Sequence, residues 1–373
     1  MQCNRIEVTN FRNIEHAAVD FTPGVNVLAG DNAQGKTNLL EAIYLCALGK
    51  TFRLAKDAEI VRFGQQECGI VQHFADNKRE QSVEMTLFSG TKNRRRVYLN
   101  GVSLARTSQL LGNFRVVLFC PEHLSLVKEG PGERRNFLDV AISQLHPAYV
   151  RALQKYNQLL KQRNSLLKDA ENDRATFDST IELWSAQLAH EAAYIASVRH
   201  AYVRQLDRYV GEFFTGMSGE REQVKVTYMG KAHIETDAYA DREYVERAYM
   251  RLYMSHHDRE IAAGSTLWGI HRDDLEIELN GKYARIFASQ GQQRSVALAM
   301  KMAEGEISRE YGDKEYPVFL FDDVLSELDA NRRSFLLDEI CDRQVIMTSC
   351  EPGIAGDCNI VLVKNGTYEK KVD

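Results

Sequence analysis

The chain has 373 residues, 44% of them hydrophobic, enough to bury the core of one large domain or two ordinary ones. Lys and Arg number 47 against 52 Asp and Glu, a net charge of −5, so the molecule as a whole does not attract nucleic acid and any polyanion site must be a local patch. No run approaches the ~18 uninterrupted apolar residues of a membrane helix, and the N-terminal MQCNRIEVTNF reads as a strand rather than a signal peptide. The expectation is a soluble cytoplasmic protein with no membrane partner. Seven cysteines without a C-x-x-C pair argue against a disulfide framework and a zinc site, and they are expected to be small buried residues.

In chain order, Ile6 and Val8 alternate with polar neighbours, and Val25, Val27 and Leu28 form an apolar run that stops at Ala29-Gly30, which predicts strands within 5–28. GDNAQGKT, residues 30–37, then fills every fixed position of the P-loop pattern G-x-x-x-x-G-K-[ST]. Leu39, Leu40, Ile43, Tyr44 and Ala47 follow at helical spacing, with Gly49 at a helix end. A glycine loop between a strand and a helix start gathers N–H groups that favour anions, so phosphate binding is the expectation here.

Residues 68–105 read as β, with alternation through Val83, Met85 and Leu87 and a hairpin turn at Asn100-Gly101. A second Asn-Gly, at 280–281, follows Leu275, Ile277 and Leu279. Between them, from Pro131 to about Phe214, Leu153, Tyr156, Leu160 and Leu167 form one helical stripe, and Ile181, Trp184, Leu188, Ile195, Tyr202, Leu206 and Phe213 form another. These predict an antiparallel pair in a helical subdomain, with residues 169–178 as the turn.

Near the C-terminus, PVFLFDD (317–323) is an apolar run ending in two acids, as a buried parallel strand ends at the carboxyl edge of a sheet, where α/β proteins place ligands. Asp322 is a candidate for a Mg²⁺ shell with the Thr37 hydroxyl. Asp323 is a candidate for polarising an attacking water, or for capping the next turn. Upstream, Ser289 and Gly291 precede a helical pattern through Val296, Leu298 and Met300, a second helix start suited to phosphate. Lys92, Arg94, Arg95 and Arg96 beside the first Asn-Gly hairpin are candidates for straddling nucleic-acid phosphates, with Arg134 and Arg135 as weaker ones. HRDD (271–274) has no metal-ligand partner nearby in sequence and reads as a turn entering the strand at Leu275.

The order of P-loop, SQGQQ, a strand ending in Asp-Asp and SELD (326–329) resembles the ABC-type ATPase head, with its signature, Walker B strand and D-loop. The N-terminal strand into Phe11-Arg12-Asn13 and the wide insertion are more similar to the SMC-related branch. Within it, GDNAQGKTNLLEAIYL, FCPEHLSLVKEGPGERRNFLD (119–139), HRDDL and ASQGQQRS are similar, in order and across essentially the whole chain, to blocks of the RecF family of bacterial recombination mediators.

The resemblance implies an α/β fold: an SMC-like P-loop ATPase head with an antiparallel β subdomain and an inserted helical subdomain. The halves of the head are expected at 1–125 and 263–373, and the insertion at 126–262. ATP would be held by Gly30, Asp31, Asn32, Ala33, Gln34, Gly35, Lys36, Thr37 and Asn38, with Arg12 and Asn13 nearby. Mg²⁺ would be held by Thr37 and Asp322, with Glu122 standing where a lid-loop glutamine is usual. Ser289, Gln290, Gly291 and Gln292 of one subunit would contact the γ-phosphate bound at Lys36 of the other, making ATP part of a homodimer interface. Lys36 and Asp323 would serve catalysis, but Asp323 is one methylene shorter than the usual Glu, and Thr348-Ser349 replaces the usual switch His. These departures imply weak, slow, DNA-stimulated ATP hydrolysis. The family further implies binding to duplex DNA near single-strand gaps and cooperation with RecR- and RecO-type partners in loading RecA. A transporter ATPase subunit, a P-loop kinase and a non-hydrolysing structural protein are the competing readings of the same motifs.

Overall fold

The structure, a computed structural model, describes all residues except 54–56, 91–94, 219–221, 233, 354–355, 357 and 372–373, together with the side chains at 57, 124 and 125. Alternating apolar residues build the N-terminal sheet. β1 (Gln2–Phe11) turns Cys3, Ile6, Val8 and Phe11 inward, and β2 (Ile14–Asp20) pairs with it antiparallel. The continuous apolar run β3 (Val25–Ala29) enters a different sheet and leads through the glycine loop into α1 (Lys36–Leu48) and the short α2 (Asp57–Ile60). β4 (Glu67–Ala75), β5 (Glu80–Phe88), β6 (Arg96–Leu99) and β7 (Val102–Ser103) complete a six-stranded antiparallel sheet in the order β2-β1-β4-β5-β6-β7.

β8 (Val116–Phe119) opens the second part of the head's parallel sheet. Then come α3 (Pro131–Ser143), α4 (Pro147–Asp169), the 45-residue α5 (Arg174–Ser218), β9 (Val224–Met229), α6 (Arg242–Ser255) and α7 (His257–Ala263). β10 (Asp274–Leu279) and β11 (Lys282–Tyr283) join β9 in a three-stranded sheet, and α8 (Ala284–Phe287) follows. The chain ends with α9 (Gln290–Tyr311), β12 (Val318–Phe321), α10 (Ala330–Glu339), β13 (Val345–Ser349), β14 (Asn359–Lys364) and β15 (Thr367–Lys370). The head sheet runs β15-β14-β3-β13-β12-β8, parallel except for the terminal β14–β15 hairpin, and the strands β8, β12 and β13 are buried throughout.

Two units result. One contains 1–125, 213–220 and 290–373, the other 126–212 and 221–289. Residues 263–289 therefore group with the insertion rather than with the C-terminal half of the head. The reason is pairing: β10 hydrogen-bonds to β9 over six register positions, from Asp274↔Met229 to Leu279↔Val224. The helical pair forms as its two stripes predict, joined antiparallel by Arg163–Ser185 and Lys155–Glu191. The turn is shorter than expected, since α4 runs to Asp169 and α5 begins at Arg174, and Leu159 rather than Leu160 is buried.

Asn100-Gly101 and Asn280-Gly281 turn with positive φ at both residues, as type I′ hairpins require. A third such pair, Asn365-Gly366, joins β14 to β15. Of the cysteines, Cys3, Cys46, Cys68 and Cys120 are buried as expected, whereas Cys341 and Cys350 are exposed and Cys358 is half-buried. Among the described residues no helix is long and apolar enough to cross a membrane.

Candidate functional site: a phosphate loop facing two acids

The glycine loop begins where β3 ends, with the Gly30 N–H donating to the Ser349 carbonyl of neighbouring β13 at 3.2 Å. A Cβ on Gly30 would lie 2.2 Å from the Val363 carbonyl oxygen of β14, so no larger residue fits beside that strand. At the other end Gly35 has φ 113°, and no side chain caps the start of α1. The uncapped first-turn N–H groups are the donors a helix start offers to an anion.

Lys36 is buried, and its ammonium donates to the carbonyls of Gly30 (2.5 Å) and Asp31 (2.9 Å) and lies 3.7 Å from Cys350 Sγ. All these acceptors are neutral. Among the described residues no carboxylate pairs with Lys36, so none of its described partners neutralises its charge.

Asp322 directly follows β12. Its Oδ1 accepts from Thr37 Oγ1 at 2.7 Å and from Thr348 Oγ1 at 3.0 Å. Burial pushes its carboxyl above the usual range, against the two hydroxyl donors and the charge of Arg53. Glu122, exposed in the 3₁₀ turn after β8, adds to the rise through its own charge. Thr37 and Asp322 bring together a hydroxyl and a carboxylate, oxygen types that Mg²⁺ takes, while Glu122 acts on Asp322 through its charge. Asp323 is exposed, holds φ 52° and donates its N–H to Thr348 Oγ1 at 2.8 Å. Asp tolerates this left-handed backbone better than most residues. The Thr348 hydroxyl thus bridges the two acids.

The β1–β2 turn packs on the same rim. Asn13 Oδ1 accepts from Asn38 Nδ2 at 2.7 Å. Arg12, expected beside a nucleotide, turns its guanidinium to the fully buried Glu41 of α1 at 3.0 and 2.7 Å and to the Glu59 carbonyl at 2.8 Å. Arg53 reaches the same carboxylate at 3.6 Å and donates to Asn38 Oδ1 at 2.8 Å. Glu41 and Arg53 were not singled out from sequence. The available signal was an acid inside the apolar run LLEAIYL.

The second helix start has a different surround. Ser289 and Gln290 are exposed, and Gly291 and Gln292 are partly so. Behind them Arg294 holds Glu327 by its carboxylate (2.8 Å) and its carbonyl (2.8 Å), while Arg332 donates to Ser295 Oγ at 2.5 Å. SELD is therefore fastened to the body of α9, and Asp329 caps α10 through the Arg332 N–H.

Only part of the basic hairpin lies among the described residues. Arg95 donates to the Gly49 carbonyl, Arg96 is exposed with its guanidinium 5.2 Å from the Phe88 ring centroid, and Lys92 and Arg94 lie outside the described residues. Arg134 is consumed by Asp274 in a two-pronged pair at 2.7 and 2.9 Å, and Arg135 donates to the Asp273 carbonyl at 2.7 Å. HRDD is a structural knot in the second unit. His271 accepts from the Tyr156 hydroxyl (2.7 Å) and donates to the Thr266 carbonyl (3.1 Å), and buried Asp273 accepts from Tyr228 and from the Lys231 N–H.

The model of the RecF/RecN/SMC N-terminal domain family matches residues 2–367. The DNA replication and repair protein RecF of Ruminiclostridium cellulolyticum is 36% identical over 93% of this chain and 92% of its own length, and that of Bacillus mycoides is 35% identical over 100% of both. The solved structure of the recombination mediator protein RecF-ATP in the RecFOR pathway superposes with a TM-score of 0.90 at 32% identity, covering 99% of each chain. A Pyrococcus furiosus Smc head domain shares the fold alone, at 16% identity and a TM-score of 0.56. The transporter and kinase readings give way to this likeness, and the chain belongs to the RecF family.

Proposed function

We propose that two copies of this chain close on ATP and Mg²⁺ to form a clamp that binds duplex DNA beside single-strand gaps. Its place is in recombinational repair and replication-fork maintenance, where it helps RecR- and RecO-type mediators load RecA. The observation that carries the reading is the joining of Thr37 to Asp322 beside a buried lysine whose partners are all neutral. Lys36 and the first turn of α1 would take the phosphates, and Thr37 and Asp322, with Glu122 near, would hold Mg²⁺, which neutralises charge on the transferring phosphoryl group. Asp323 would orient water.

Ser289 and Gln290, exposed, with the partly exposed Gly291 and Gln292, would be donated to the partner's nucleotide. A contact made only while the third phosphate is present gives ATP a differential affinity for the closed dimer, so hydrolysis opens it. The short Asp323 and the threonine at 348 fit slow turnover, suited to a timed clamp rather than a pump. Exposed Arg96, with Lys92 and Arg94, would face DNA phosphates, each neutralised phosphate adding ~0.9 to the salt slope.

The test is molar mass by light scattering with and without ATP and Mg²⁺. Doubling in the wild type that is lost in both Lys36→Arg and Ser289→Arg supports the clamp, and binding to gapped duplex is then compared with plain duplex in the ATP state. A wild type that binds ATP and stays a monomer overturns it.

A further inference from the structure

The C-terminal hairpin makes contacts that the P-loop pattern does not explain. Its type I′ tip, ordinarily directed at solvent, donates twice to Gln34: the Gly366 N–H to the backbone carbonyl at 2.9 Å and the Asn365 N–H to Oε1 at 2.7 Å. Two residues past the tip, in β15, the Tyr368 hydroxyl donates to the Gly35 carbonyl at 2.9 Å. Both P-loop glycines lie against this hairpin. The Val363 carbonyl closes the space over Gly30, and Tyr368 Oη would be 3.3 Å from a Cβ on Gly35.

We propose that the β14–β15 hairpin is a clasp that sets the conformation of the phosphate loop, and that Tyr368 is a positioning residue for nucleotide binding. In a trans peptide the C=O and the following N–H point in opposite directions. Tying the carbonyls of Gln34 and Gly35 to the hairpin therefore turns the N–H groups of Gly35 and Lys36 away from it together. Two successive N–H groups facing one side make the concavity that holds an anion. The helix orients only part of this: the Gly35 carbonyl also accepts from the Asn38 N–H at 2.9 Å and the Leu39 N–H at 3.4 Å, whereas the Gln34 carbonyl is held by the hairpin tip at 2.9 Å, with the Asn13 amide at 3.5 Å beside it. Burial pushes the Tyr368 phenol well above its usual range, which keeps it a neutral donor.

The inference rests on the loop binding ATP, and its test separates the two. ATP affinity, titrated with a fluorescent ATP analogue, and the nucleotide-free thermal midpoint are measured for wild type, Tyr368→Phe and Val83→Ala. Val83 is a buried residue of β5 in the antiparallel sheet, outside the hairpin. Tyr368→Phe is expected to weaken ATP binding about five-fold, the loss of one hydrogen bond, with the midpoint within about 2 °C of wild type. Val83→Ala is expected to lower the midpoint and leave affinity unchanged. Wild-type affinity in Tyr368→Phe overturns the inference, as does an equal loss of affinity in Val83→Ala. A wild type that does not bind ATP overturns the reading of the loop itself, and this inference with it.

Discussion

The rim of the first unit and the interior of the second treat positive charge in opposite ways. Lys36 is buried among neutral acceptors, two carbonyls and a thiol. In the second unit Arg163 meets Glu260 at 2.6 Å with both side chains fully buried, and Arg199 meets Asp139 at 2.7 Å and Asp273 at 3.7 Å. A cation whose neighbours are neutral keeps its charge for a ligand. One that meets a carboxylate is spent on the fold. The same distinction removes Arg134 from the nucleic-acid candidates, since its guanidinium meets the Asp274 carboxylate, although in sequence it looks as available as Lys36.

The strongest way to break this comparison is Arg163→Ala. It leaves Glu260 buried and unpaired, at a cost of about 3–5 kcal/mol, and the thermal midpoint should fall by roughly 10 °C with ATP affinity unchanged; an affinity loss as large as the stability loss would join the two regions. Lys36→Met should do the reverse, weakening ATP binding on the order of 100-fold in nucleotide titrations while the midpoint stays within about 2 °C.

Asp323→Asn sharpens the picture within the rim. Asn accepts the left-handed backbone at φ 52°, so ATP binding should persist while steady-state turnover drops at least about ten-fold. Full turnover in this variant would remove Asp323 from the chemistry.

The smallest expected effect is a pH dependence. Burial lowers the His271 imidazole from its ordinary value to about 4, its Nδ1 accepting from Tyr156 and its Nε2 donating to Thr266. The unfolded chain therefore binds this proton first. The stability held above pH 6.5 is lost as pH falls toward 4, by about 1 kcal/mol between pH 6.5 and 5.5. Urea unfolding of wild type and His271→Gln at pH 6.5 and 5.5 checks it, and identical slopes would exclude His271 as the source.

Much of the site was legible because its signals are local. A strand, a glycine loop and a helix are contiguous, and PVFLFDD carries its own burial and its own terminal acids. Asn-Gly pairs at 100 and 280 announced hairpins for the same reason, since positive φ at two successive residues is a property of the dipeptide. The residues missed act at long range. Glu41 gathers Arg12 from 29 positions away, and Asn365 donates to Gln34 across 331. The boundary at 263 moved because β10 chose β9 as its partner, a choice no local pattern in 263–289 contains.

The sequence by itself determined that a phosphate-suited loop, two acids at a strand end and a second helix start exist in this chain, because each is set by residues that are neighbours in the backbone. Only the tertiary structure decided which charges remain available. Pairing depends on what lies within a few ångströms in space, and Coulomb and desolvation energies at that range decide whether a cation binds a ligand or holds the fold.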